Sequence, residues 1–152
     1  KGVELGGAVK NGIAIAAGVS DGLGFGDNAR AALMTRGRVE IVRLGLAMGA
    51  RLETFMGLSG IGDLIVTAGS RHSRNHKFGE LLAKGATVEE ALRQVGMVVE
   101  GHATALSTMQ LSRQRGISMP IVEAVHQILY EGLAPRQAVE ELLSRDPKPE
   151  HY

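Results

Sequence analysis

The sequence predicts an all-α domain of about eight helices, and three observations carry that prediction. Period-2 alternation, the mark of a half-buried strand, is almost absent along the 152 residues. Apolar positions recur instead as helical stripes set off by helix punctuation. Thr87 and Glu90 form a capping-box signature, Pro120 and Pro135 sit at first-turn positions, and Gly85, Gly96 and Gly116 stand where stripes stop. The composition agrees: 44% hydrophobic residues with only 3% aromatics and 21 glycines implies a core of Leu, Ile, Val, Ala and Met between closely approaching helices.

The first helix is expected over residues 4–18 and, with few polar positions, buried on most sides. The second runs over residues 27–48, with Asp27 as its N-cap after the glycine-rich turn 22–26. Leu33, Val39, Ile41, Leu44 and Met48 form its apolar stripe, with Arg30, Arg36, Arg38 and Arg43 largely outside it. A short helix at 52–55 precedes the turn 57–63, which opens a short apolar segment, 64–67. A basic loop, 68–75, leads into a helix marked by Phe78, Leu81 and Leu82 that ends near Gly85. Thr87 opens the next, ending near Gly96. Residues 98–101 read as a linker, and helices follow at 102–115, 120–129 and 135–143, with 146–152 as a C-terminal tail.

Several function classes are excluded. The 17 Lys+Arg nearly cancel the 16 Asp+Glu, which leaves no cationic surplus for a general nucleic-acid binder. The absence of cysteine removes disulfides, thiolate metal sites and cysteine nucleophiles, and suits a reducing, cytoplasmic setting. No apolar run approaches the ~18 residues of a membrane span. The turn 22–26 follows a helix and has Asp27 where the third glycine of a dinucleotide fingerprint belongs, so the chain carries no nucleotide-binding βαβ unit of its own. Lys1 in place of an initiator Met leads us to expect a fragment, a processed product or an excised domain.

Three groups of residues can carry chemistry. Lys10 lies mid-helix among small residues, either as a surface lysine or in a desolvated groove where it serves as a proton donor and acceptor. Asn11 beside it both donates and accepts. Asp63 is either an N-cap or a carboxylate that orients Lys10 or a substrate hydroxyl. Ser73-Arg74-Asn75 opens a helix where free N–H groups, the dipole and a guanidinium favour an anion, reinforced by Arg71 and Lys77; the alternative is a solvated, capped helix start. His72 and His76 stand at i, i+4 but lack the glutamate of an HExxH site, so no metal is expected. Met48, Met56, Met97 and Met109 read as core filler.

Four blocks then occur in order: Glu4-Leu5-Gly6-Gly7-Ala8-Val9-Lys10-Asn11, Gly60-Ile61-Gly62-Asp63-Leu64, Ser73-Arg74-Asn75, and Val98-Val99-Glu100-Gly101. Together they resemble the C-terminal substrate-binding domain of bacterial-type NAD(P)-dependent glycerol-3-phosphate dehydrogenase, over nearly the whole chain. The resemblance implies a helical domain like the C-terminal domain of 6-phosphogluconate dehydrogenase, here residues 1–145. It implies an activity that interconverts dihydroxyacetone phosphate and sn-glycerol 3-phosphate with NAD or NADP and feeds glycerophospholipid synthesis. It makes Lys10 the catalytic lysine and assigns Asp63, Ser73, Arg74 and Asn75 to the phosphorylated three-carbon substrate, with Asn11 and Thr67 beside them. Arg74, Val98 and Glu100 become cofactor contacts. The family's N-terminal Rossmann-type domain, which holds most of the cofactor and contributes a further substrate lysine, is missing from this chain. The resemblance therefore implies that the chain alone is inactive and that the intact protein is a homodimer. Two alternatives remain: the substrate domain of a related dehydrogenase acting on another phosphorylated or hydroxy-acid compound, and a non-enzymatic helical module that binds an anionic partner through residues 71–77.

Overall fold

The computed structural model describes residues 2–49 and 73–144, with side chains described from Gly6 onward. Among the described residues there are seven helices and no strand: α1 (Gly2–Gly22), α2 (Asp27–Ala47), α3 (Arg74–Ala83), α4 (Val88–Val95), α5 (Glu100–Gln114), α6 (Pro120–Tyr130) and α7 (Pro135–Ser144). The short helix expected at 52–55, the apolar segment 64–67 and the tail 146–152 lie outside the described residues.

α1 is the axis of the domain. Val9, Ile13, Ala14, Ile15, Ala16, Ala17 and Val19 are all buried, as expected of a helix with few polar positions that is buried on most sides. α2, α3, α5, α6 and α7 pack around it, α3 most extensively. Phe78 of α3, Leu33 and Leu44 of α2, Ile121 and Val125 of α6 and Leu142 of α7 complete one continuous core with it. Each such large side chain stabilises the fold by about 1.5–3 kcal/mol on burial.

The seam between α1 and α3 explains two of the glycines. A Cβ at Gly18 would lie 2.1 Å from the carbonyl oxygen of His76, and one at Gly79 would lie 2.2 Å from that of Ile15. Gly18 is thus a packing contact rather than a stop, and α1 continues to Gly22, four residues beyond the expected end.

The local punctuation holds at most helix ends. Thr87 Oγ1 accepts the Glu90 N–H at 3.1 Å, and Glu90 Oε1 accepts the Thr87 N–H at 3.3 Å, completing the capping box of α4. Gly96 ends that helix in the left-handed conformation, with φ 74°. Pro120 and Pro135 open α6 and α7.

Three expectations need correction. Gly26, with φ 88°, caps α2, and Asp27 falls inside its first turn, where a carboxylate complements the dipole. The stretch 98–101 is not a linker throughout, because Val99 is the buried N-cap of α5, which already includes Glu100 and Gly101. Met97 is 65% exposed and fills no core, unlike the buried Met109 and the half-buried Met48; Met56 lies outside the described residues. Of the α2 arginines, Arg30 turns into a half-buried pair with Asp21, and Arg43 Nη1 donates to the Ser118 carbonyl at 3.3 Å.

α6 is capped from a distance. Its N-cap residue, Met119, has no side-chain acceptor to offer. The Glu40 carboxylate of α2, buried to 1% exposure, accepts the Ile121 N–H at 2.7 Å and the Val122 N–H at 3.2 Å.

Candidate functional site

Asn75 is the point where three helices meet. It is buried in the first turn of α3. Its Nδ2 donates to Asn11 Oδ1 of α1 at 3.2 Å, and its Oδ1 accepts the Gly101 N–H of α5 at 2.9 Å. Asn11 Nδ2 in turn reaches Glu100 Oε2 of α5 at 3.5 Å. A Cβ at Gly101 would lie 2.7 Å from Asn75 Oδ1 and 2.6 Å from Ile15 Cδ1, so only glycine brings the α5 backbone close enough for that bond. An asparagine amide has two N–H donors and two lone pairs. Among the described residues these bonds use one N–H and one lone pair of Asn75.

The start of α3 is capped and free of negative charge. Ser73 is its N-cap, and Ser73 Oγ accepts the His76 N–H at 3.4 Å. The first turn contains no acidic residue. The Arg74 and Asn75 N–H groups are among the donors that a helix start leaves without intrahelical partners, and the dipole adds positive potential there. Arg74 is exposed and holds no ion pair among the described residues. Lys77, one turn on, is also exposed.

Lys10, next to Asn11 on α1, is half-buried. The structure thus brings the Lys10-Asn11 step of α1 to the Arg74-Asn75 step of α3 through the Asn11–Asn75 bond, and adds Glu100 to the same cluster. Val98, 69% exposed, stands with Met97 as an uncovered apolar pair just before α5. Asp63 and Thr67, and with them Arg71 and His72, lie outside the described residues. No group of three or more potential metal ligands occurs among the described residues.

One cluster was not anticipated from the sequence. His76 is wholly buried, with Nε2 2.6 Å from Asp21 Oδ2. Its Nδ1 lies 2.8 Å from Glu80 Oε1 but without hydrogen-bond alignment. Arg30 Nε donates to Asp21 Oδ1 at 3.2 Å, and Arg30 Nη2 pairs with Asp21 Oδ2. Burial pushes the Asp21 carboxyl up, but hydrogen bonds from Arg30 and His76 and their charges outweigh it, so the group sits below its ordinary value. The same bond to Asp21 raises Arg30. The i, i+4 spacing of His76 and Glu80 was the one available signal; Asp21 is 55 residues from His76.

Residues 1–140 match the family model described as the NAD-dependent glycerol-3-phosphate dehydrogenase C-terminus. The chain belongs to that family. It is 59% identical over 149 residues to the glycerol-3-phosphate dehydrogenase [NAD(P)+] of Desulfitobacterium hafniense, covering 98% of this chain and 42% of the relative. It is 55% identical to that of Carboxydothermus hydrogenoformans, with 98% and 44% covered. The crystal structure of glycerol-3-phosphate dehydrogenase from Coxiella burnetii superposes with a TM-score of 0.92 at 48% identity, over 95% of this chain and 44% of that one. The chain therefore spans less than half the length of these relatives. No helix among the described residues is long and apolar enough to cross a membrane.

Proposed function

We propose that this chain is the substrate-binding half of a glycerol-3-phosphate dehydrogenase that interconverts dihydroxyacetone phosphate and sn-glycerol 3-phosphate. The observation that carries this reading is the convergence on Asn75 of α1, the start of α3 and the start of α5. The relatives named above have this activity in their names, and the four sequence blocks of the family all bear on that convergence or lie outside the described residues.

In this reading the phosphate sits at the start of α3, against Arg74, Asn75, Ser73 and the free N–H groups. Lys10 as an ammonium donates a proton to the carbonyl oxygen during reduction, and as a neutral amine takes the hydroxyl proton in the reverse direction. Asn11 orients the substrate oxygens, Asp63 orients the proton-transfer pair, and Thr67 lies beside them. Proton transfer by a positioned group contributes ~10²–10⁴-fold in rate. The nicotinamide cofactor, when bound, supplies or accepts the hydride. The residues present fit one edge of it: Arg74 for a charged or amide oxygen, Val98 as an uncovered apolar contact, Glu100 for a hydroxyl. The rest of the cofactor belongs to a Rossmann-type domain preceding residues 1–145. The whole protein is read as a cytoplasmic homodimer, with residues 146–152 as its tail.

The test is Lys10→Ala in the full-length enzyme. Turnover is expected to fall at least ~10²-fold; near-normal kcat refutes the role of Lys10. The isolated 152 residues are expected to show no NAD(P)H-dependent reduction of dihydroxyacetone phosphate.

A further inference from the structure

We propose that Asp21 and His76 are positioning residues for the substrate site: their buried pair fixes the first turn of α3 on α1 and so holds Asn75 between Asn11 and Gly101. The proposal rests on the reading of Asn75 given above. Asn75 and His76 are consecutive, yet their partners on α1, Asn11 and Asp21, are ten residues apart, which is ~15 Å along a helix. Between those partners lies the bare backbone contact where Gly18 meets the His76 carbonyl and Gly79 meets that of Ile15.

At Gly18 and Gly79 no side chains interlock, and the apolar packing of Phe78 and Leu82 holds α3 on α1 without fixing how its first turn is rotated. The two tethers on either side set that rotation. The second is anchored on both sides. Arg30 of α2 grips Asp21, and Asp21 Oδ2 meets the buried His76 ring. Asp21 is the ring's only aligned side-chain partner among the described residues, since Nδ1 does not hydrogen-bond to Glu80. A displacement of ~1 Å at a substrate-positioning group costs ~10²-fold in rate, so a modest pivot reaches the chemistry.

The experiment compares Asp21→Ala, Asp21→Asn, His76→Ala, Asn75→Ala and the double variant Asp21→Ala/Asn75→Ala in the full-length dehydrogenase. KM for sn-glycerol 3-phosphate, kcat and the melting temperature are measured for each. We expect Asp21→Ala and His76→Ala each to raise KM by ~10-fold or more in enzyme still folded at the assay temperature. Asp21→Asn, which keeps a hydrogen-bonding partner for the ring, recovers most of that loss. The double variant is no worse than Asn75→Ala alone, because coupled residues are non-additive. A lowered melting temperature with unchanged KM in both single variants reduces the pair to a structural role and overturns the proposal. Fully additive losses in the double variant overturn the route through Asn75. If Asn75→Ala itself leaves KM unchanged, the substrate reading of α3 fails and the proposal with it. If Asn75→Ala raises KM while Asp21→Ala and His76→Ala do not, the positioning claim fails alone. Should Asp21→Ala not fold, His76→Ala carries the same expectation and the same refutation.

Discussion

Replacing Glu40 by Ala tests whether a carboxylate on one helix sustains the start of another. The two N–H groups it caps, those of Ile121 and Val122, are buried and follow a residue that cannot cap them. Each buried donor left without an acceptor costs about 1–3 kcal/mol, which brackets the loss at roughly 2–6 kcal/mol. The centre of that range, ~4 kcal/mol, is a large share of the ~5–15 kcal/mol by which a domain is stable. For a chain of this size it lowers the melting temperature by about 8–16 °C. Glu40→Gln retains one acceptor oxygen and is expected to lose about half as much. The assay is urea denaturation followed by far-UV circular dichroism, with hydrogen exchange at Ile121 and Val122 to localise the effect. A loss below ~1 kcal/mol with both amides still protected refutes the capping argument.

Two further outcomes follow from the α1–α3 seam and its ion pairs. Gly18→Ala forces a Cβ to within 2.1 Å of a backbone oxygen, and overpacking of this kind is expected to cost ~1–3 kcal/mol or more; a melting temperature equal to wild type contradicts the packing described. Because Asp21 is held below its ordinary carboxylate value, its contribution is present at neutral pH and is lost as pH falls through the folded-state value, below ~pH 4. Stability measured by denaturant from pH 7 to 3 should therefore decline less steeply for Asp21→Asn than for wild type, and parallel curves exclude that linkage.

What the sequence made legible was local. Thr87 with Glu90, Ser73 before Arg74, and the two prolines each act within one turn of where they stand, and each marks the helix start it promised. The errors came where tertiary contact overrides the local signal. Gly18 looks like a stop until α3 is laid across it, and Glu100-Gly101 looks like a linker until Asn75 is seen to accept the Gly101 N–H. The cap of α6 by Glu40 spans 81 residues, and the Asp21–His76 pair spans 55. No window-based pattern contains either. The site was read through the order of four motifs. Asn11, Asn75 and Glu100 then meet in hydrogen-bonded contact, while Asp63 and Thr67 lie outside the described residues.

The meeting of α1 and α3 backbone to backbone has a mechanical consequence. With main chain against main chain at its middle and a side-chain tether on either side, the seam leaves the two helices to travel together. If a second domain closes over this one, Lys10, Asn11, Arg74 and Asn75 ride as a preassembled unit, and the bending has to be taken up by the connecting segments.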